Sequence, residues 1–239
     1  MTELGLGVYT LPEAARLVHT QTREIRRWLR GYRYTTNRSE GKRASRFSKP
    51  LWQTQYSVDA EIGGRAIGFL DLLELRIVQS FVDAGVPLLI VRRCLEHART
   101  LFGSTHPFTE QRFRTDGRTI FLQAIQEGAE RDFLDLKSLQ YAFKEVVKPS
   151  LYAGIEYEGN LATRWFPVPG NKRLVVVDPK VQFGKPVLTG SSVPTRAVYA
   201  SYQAEGADSA AAALVCKIFE LPAGEVQAAV RFEQSLLVA

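Results

Sequence analysis

Cysteine is scarce in this 239-residue chain. Cys94 and Cys216 are too few and too far apart for a disulfide framework, and neither belongs to a C-x-x-C pair of the kind that holds zinc. Both sit in apolar helical contexts, so buried thiols in a reducing compartment are expected. Histidine is scarce as well. His19, His97 and His106 fall on separate elements without the spacing of metal ligands. Neither H-E-x-x-H nor G-x-S-x-G occurs, and the chain is not read as an enzyme: no catalytic residue, metal or cofactor is assigned. Long apolar runs are missing too. The longest, "AAAALVC" at 210–216, is about a third of what a bilayer-spanning helix requires. The opening "MTELGLGVYT" has neither the basic flank nor the apolar run of a secretory signal. A cytoplasmic protein with no membrane partner is the expectation, and neither repeats nor low-complexity tracts interrupt it.

What the chain has is a core and an uneven charge. Hydrophobic residues make up 45% of it, ample for one large or two small domains. The net charge is +6, but residues 1–50 hold eleven Lys/Arg against four Asp/Glu, while the remainder holds twenty against twenty-one. A basic head on a neutral body points towards a polyanion bound by the head.

The charge is concentrated in "REIRRWLRGYR", 23–33. Wound at about 100° per residue, Arg23, Arg26, Arg27 and Arg30 gather on one side, and Ile25, Trp28 and Leu29 on the other. Only Glu24 offers a local counter-charge. Ahead of this segment, Thr10 and Glu13 form a capping-box signature with Pro12 in the first turn. Ala14, Leu17 and Val18 supply an inward stripe. Thr20 is the expected cap of the second helix, which runs to Gly31. Two short helices across a tight turn, the second cationic outside, make a helix-turn-helix whose second helix would enter a major groove. Residues 32–56 interleave aromatics with Arg33, Arg38, Lys42, Arg43, Arg46 and Lys49. They read as a wing that tracks phosphates, with a flexible basic loop as the alternative.

From Ile67 a helix pair is expected, in "FLDLLELRIVQSFVDAG" (69–85) and "VPLLIVRRCLEHARTLFG" (86–103), with a short, rigid corner at Gly85-Val86-Pro87. Asp71, Glu74 and Asp83 read as helix-start and solvated carboxylates. Asp116-Gly117, between two short apolar runs, signals a hairpin. A helix is expected over roughly 131–147, carrying Phe133, Leu136, Tyr141 and Phe143. Residues 150–183 are strand-like and aromatic, with a clear strand at "RLVVVD". "GKPVLTGSSVPT", 184–195, lacks the G-K-[ST] ending of a phosphate loop and reads as a tight turn. Three helices follow: Thr195 to Glu205, one starting at Asp208 or Ser209, and one from Pro222 to near Leu237. The fold class is mainly α with small β elements (α+β), in three parts at 1–104, 105–160 and 161–239.

The segment "YTLPEAARLVHTQTREIRRWLRGY" resembles the first helix-turn-helix of the MerR family. "IGFLDLLELRIVQSFVDAGVPLLIVRRCL" is similar to the helix pair that follows the wing there. That family's long dimerising helix and metal-sensing cysteines are not evident. The stretch from Gly184 resembles the domain of unknown function four-three-three at Gly184, Pro186, Leu188, Gly190, Val193 and Pro194. Ser191 and Ser192 stand where its pattern has Thr-Arg. The combination resembles VapB-type antitoxins of type II toxin–antitoxin systems.

The resemblance implies neutralisation of a PIN-domain ribonuclease toxin and autoregulation of an operon. The basic residues themselves point to operator DNA, bound by a homodimer or higher oligomer through Arg23, Arg26, Arg27 and Arg30, with Arg33, Arg38, Lys42, Arg43 and Arg46. Tyr152, Tyr157, Trp165 and Phe166 are the candidate partner-binding aromatics. A stand-alone transcription regulator whose carboxy-terminal module senses a ligand is the alternative, and an RNA-binding protein is a third.

Overall fold

The computed structural model describes residues 6–37, 43–57, 64–129, 152, 154–168 and 173–237. The expected helix over 131–147 lies outside them. The fold is α+β. Strand β1 (Tyr9–Thr10) leads into α1 (Leu11–Leu17) and α2 (Thr22–Arg30), followed by the hairpin β2 (Tyr32–Asn37) and β3 (Arg43–Ser48). Strand β4 (Ala66–Ile67) returns to pair with β1. The helix pair α3 (Phe69–Asp83) and α4 (Leu88–Phe102) comes next, then α5 (Phe113–Ala129). The tail is an antiparallel meander, β5 (Ile155–Glu158), β6 (Leu161–Trp165), β7 (Val175–Val177) and β8 (Pro186–Leu188), covered by α6 (Thr195–Ala204), α7 (Ser209–Ile218) and α8 (Ala223–Ser235).

Helix α3 is the central post. Leu72, Leu73, Leu75, Ile77, Val78 and Phe81 are all buried, and a helix apolar almost all round belongs inside. Its first turn is fixed by Asp71, whose carboxylate accepts the Gly68 amide at 2.9 Å. Phe81 then packs on Phe121 and Phe108, with ring centroids 5.8 and 5.5 Å apart.

Head and tail are not separate bodies. One hydrophobic core runs from Tyr9 to Leu236. The Tyr9 hydroxyl donates to the Gly184 carbonyl at 2.8 Å, and the Val8 amide to Phe183 at 2.9 Å. Gly184 (φ +84°) is required here, because a Cβ would lie 2.2 Å from the Tyr9 hydroxyl. The expected boundary at 160/161 falls in the turn between the paired strands β5 and β6.

Three sequence expectations need correction. The Asp116-Gly117 hairpin is instead α5. Phe113, Ile120, Phe121, Ala124 and Ile125 are buried at helical spacing, and a Cβ at Gly117 would come within 3.0 Å of the Phe113 ring. Tertiary burial overrides the local turn signal. Segment 184–195 contains a strand as well as a turn, since Val175, Val176 and Val177 pair with Leu188, Val187 and Pro186. Asp71 and Glu74 are completely buried and not solvated.

Candidate nucleic-acid interface

The amino-terminal helices are built as their sequence suggests. Thr10 caps α1, its side chain accepting the Glu13 amide while the Glu13 carboxylate accepts the Thr10 amide at 2.9 Å. The start of α2 differs. Gln21 is the cap residue and makes no side-chain cap bond, so Thr20 does not cap it. Ile25 (0% exposed) and Trp28 (3%) enter the core, and burial of such side chains stabilises by roughly 1.5–3 kcal/mol each. With that stripe held inward, Arg23, Arg26, Arg27 and Arg30 are all exposed.

Their local contacts are weak. Arg23 and Arg27 share Glu24 at 3.4 and 3.3 Å on the surface, where such pairs contribute about 0–1 kcal/mol. Arg27 also lies 4.3 Å from the centroid of Tyr32, linking the helix to the first wing strand. Arg30 donates to the Gly64 carbonyl. Arg26 has no partner among the described residues.

The segment after Gly31 is a true two-stranded wing, with six pairs from Tyr32↔Ser48 to Asn37↔Arg43. Gly31 (φ +72°) lets it fold back against the helix end, since a Cβ would meet the Ser48 carbonyl at 2.2 Å. Register places Tyr32, Tyr34 and Arg46 on one face and Arg33 with Phe47 on the other. Arg33 and Arg46 are both exposed but on opposite faces, so they do not address one surface together. Arg43 is the first residue of β3, and Arg38 and Lys42 lie outside the described residues.

Residues not assigned a role in the sequence hold this assembly. From α4, Arg92 donates to the carbonyls of Lys49 (2.6 Å) and Pro50 (2.9 Å) and to Ser48 Oγ (3.1 Å). Arg99 donates to the Leu51 carbonyl at 2.5 Å. Their separation by seven residues, two helical turns, was the available signal. Asp71 accepts four bonds: Trp52 Nε1 at 2.8 Å, the Gln55 and Gly68 amides at 2.9 Å each, and His106 Nε2 at 2.7 Å with that ring nitrogen as the donor. The chain leaving the wing is therefore tied to both helices of the pair.

The expected partner-binding aromatics are not on the surface. Tyr152, Trp165 and Phe166 are buried and Tyr157 is half-buried. Burial pushes the Tyr157 hydroxyl up to about 12. Trp165 lies against α3, with Arg76 5.2 Å from its ring centroid, while Phe166 packs with Val176 and Val187 in a separate small cluster, so these side chains do not form an exposed docking patch. Exposed apolar side chains of the tail include Phe183, Leu214 and Ile218, besides Leu161, Val168 and Leu237. Cys94 is buried and its thiol is pushed up by that burial, and Cys216 is half-buried. No cluster of three metal-binding side chains occurs among the described residues, and no described helix is long and apolar enough to cross a membrane.

No family model matches the chain. Over 199 residues it is 29% identical to a Mycobacterium tuberculosis protein named "Putative antitoxin VapB45", covering 78% of each chain. Among solved structures, the crystal structure of Rv2018 from Mycobacterium tuberculosis superposes with a TM-score of 0.67 at 21% identity, over 93% of this chain and 96% of that one. The two share a fold. At this identity, that likeness carries the architecture and leaves function to the residues.

Proposed function

We propose that this chain is a DNA-binding antitoxin, which presents α2 to operator DNA and neutralises a ribonuclease toxin through its tail. The observation that carries the DNA half is the exposed arginine face of α2, backed by the fully buried Ile25 and Trp28. The similarity to a protein named as an antitoxin supports the second half. In this reading Arg23, Arg26, Arg27 and Arg30 neutralise phosphates or reach guanine edges, with bidentate contacts worth about 1–3 kcal/mol of discrimination. Arg46 extends that surface along the wing, and Arg33 serves the wing's other face. Dimerisation would bring two such helices to half-sites about one duplex turn apart. The toxin, a PIN-domain ribonuclease, would meet the tail on exposed side chains such as Leu214 and Ile218, because the buried aromatics are not available to it.

Co-expression with the product of the adjoining reading frame tests the pairing. Co-purification and relief of that product's ribonuclease activity are expected, and both should weaken for Leu214→Asp with Ile218→Asp. If the neighbour is not a ribonuclease, or is not inhibited, the antitoxin reading fails. A regulator bound to its own upstream duplex would then be the reading left standing.

A further inference from the structure

The wing carries aromatic rings that the fold does not use for a core. Strands β2 and β3 pair only with each other among the described residues. None of the wing side chains that the structure describes is buried. A two-stranded hairpin of this kind is marginal by itself. Three of its twelve strand residues are aromatic all the same: Tyr32, Tyr34 and Phe47.

These rings stand among charges of one sign. The two strands hold Arg33, Arg43 and Arg46 and neither Asp nor Glu. One face reads Arg27, Tyr32, Tyr34, Arg46 in order. The Arg27 guanidinium lies 4.3 Å from the Tyr32 centroid. The Tyr32 and Tyr34 centroids are 5.9 Å apart, and Arg46 is the cross-strand partner of Tyr34. The two tyrosine rings are tilted by 49°, so a flat group does not slot between them. The open stacking surface is Tyr34 on the side turned away from Tyr32, and that residue is 41% exposed. On the opposite face Phe47 pairs with Arg33 and no second ring of the wing joins it. Its ring tip rests on Gly31, where a Cβ would come within 2.7 Å.

An exposed ring between guanidinium groups matches a nucleotide, which is an aromatic base joined to a phosphate. In a duplex both faces of a base are covered by its neighbours, so only an unpaired strand offers one. Stacking of this sort tolerates every base and makes no use of a ribose hydroxyl. A deoxyribose strand therefore supplies all that this face can take.

We propose that the Tyr32–Tyr34 face of the wing binds single-stranded DNA, with an unpaired base stacked on Tyr34 and the flanking phosphates taken by Arg27 and Arg46. This rests on the rings and charges of the wing, and needs neither the operator nor the toxin reading.

Fluorescence anisotropy of the full chain with a labelled oligothymidylate of about 12 nucleotides tests it, beside an abasic strand of the same length and charge. The thymidylate should bind with a Kd below about 10 µM at low salt, and the abasic strand about fivefold or more weakly. Tyr34→Leu keeps apolar bulk and removes the π-face, and should weaken the thymidylate about fivefold or more, with Tyr34→Phe restoring it. Phe47→Leu, on the other face, should stay within about twofold of the parent. Equal binding of abasic and thymidylate strands would reduce the contact to charge and overturn the proposal. Parent-like affinity in Tyr34→Leu would overturn it equally. An oligouridylate bound more than about tenfold tighter would give the face to RNA, against the proposal. A parent that takes a duplex but no thymidylate defeats this proposal and leaves the operator reading standing. The reverse result supports it and defeats the operator reading alone.

Discussion

Two helices carry arginine on one face, and the fold uses them in opposite ways. On α2 the guanidinium groups are exposed and, among the described residues, meet only Glu24, a tyrosine ring and a single carbonyl. On α4, Arg92 and Arg99 turn back on the protein and saturate the carbonyls of Lys49, Pro50 and Leu51. A helical-wheel projection shows a cationic stripe in both. The difference lies in what passes nearby. The chain leaving the wing follows an irregular path past α4, and its carbonyls need donors. Beyond the outer face of α2, most guanidinium donors are left open by the described residues. A cationic helix face is thus a binding surface only where the fold leaves the fork of donors open.

The largest effect should come from removing the anchor behind that open face. Trp28→Ala should cost about 3–5 kcal/mol, measured by chemical denaturation. A loss under about 1 kcal/mol would mean the tryptophan does not brace the helix.

The two arginine sets should then separate on stability alone. Arg92→Ala or Arg99→Ala removes charge-assisted bonds to backbone, about 1–2 kcal/mol for partly exposed groups, and should speed hydrogen exchange at 49–52. Arg26→Ala should fall within about 0.5 kcal/mol of the parent. Equal costs at the two helices would erase the distinction between staple and open surface.

A smaller effect extends the contrast to anions on α3. Asp71 has four donors, whereas one turn later no donor among the described residues reaches either oxygen of the equally buried Glu74 in hydrogen-bonding geometry. The Phe108 and Thr109 amides and Arg99 lie close enough only to moderate the effect of burial, which holds the carboxyl well above the usual range. The folded chain thus keeps a proton that the unfolded chain releases. Glu74 therefore makes stability fall as pH rises from the ordinary glutamate value towards the raised one. Glu74→Gln should be more stable than the parent at pH 7.5, with the gap closing towards pH 4. A gap independent of pH would show that Glu74 does not titrate this way.

Much of this was legible in the sequence. The Thr10/Glu13 box, the inward Ile25 and Trp28, the helix pair around Gly85 and the three final helices rest on local chemistry that the fold does not override. The misreadings share a cause, which is burial supplied from far along the chain. Asp116-Gly117 looked like a turn because the Phe81 and Phe108 cluster that draws Phe113 and Phe121 inward is remote in sequence. Strand β8 is too short to show its own period and exists because β7 pairs with it. Tyr152, Trp165 and Phe166 read as interface aromatics because nothing local reveals that α3 covers Trp165 and that Val176 and Val187 cover Phe166. The same holds for Asp71, whose donors Trp52 and His106 come from either side.

The central claim is that the α2 arginines face a duplex. It is tested most directly by the salt dependence of binding to the duplex upstream of the gene, for the parent and for Arg26→Ala with Arg30→Ala. At about 0.9 per phosphate contact, the logarithmic slope should lose about 1.8 in magnitude, and affinity should drop with the melting temperature unchanged. The same slope and affinity in both proteins would contradict the account.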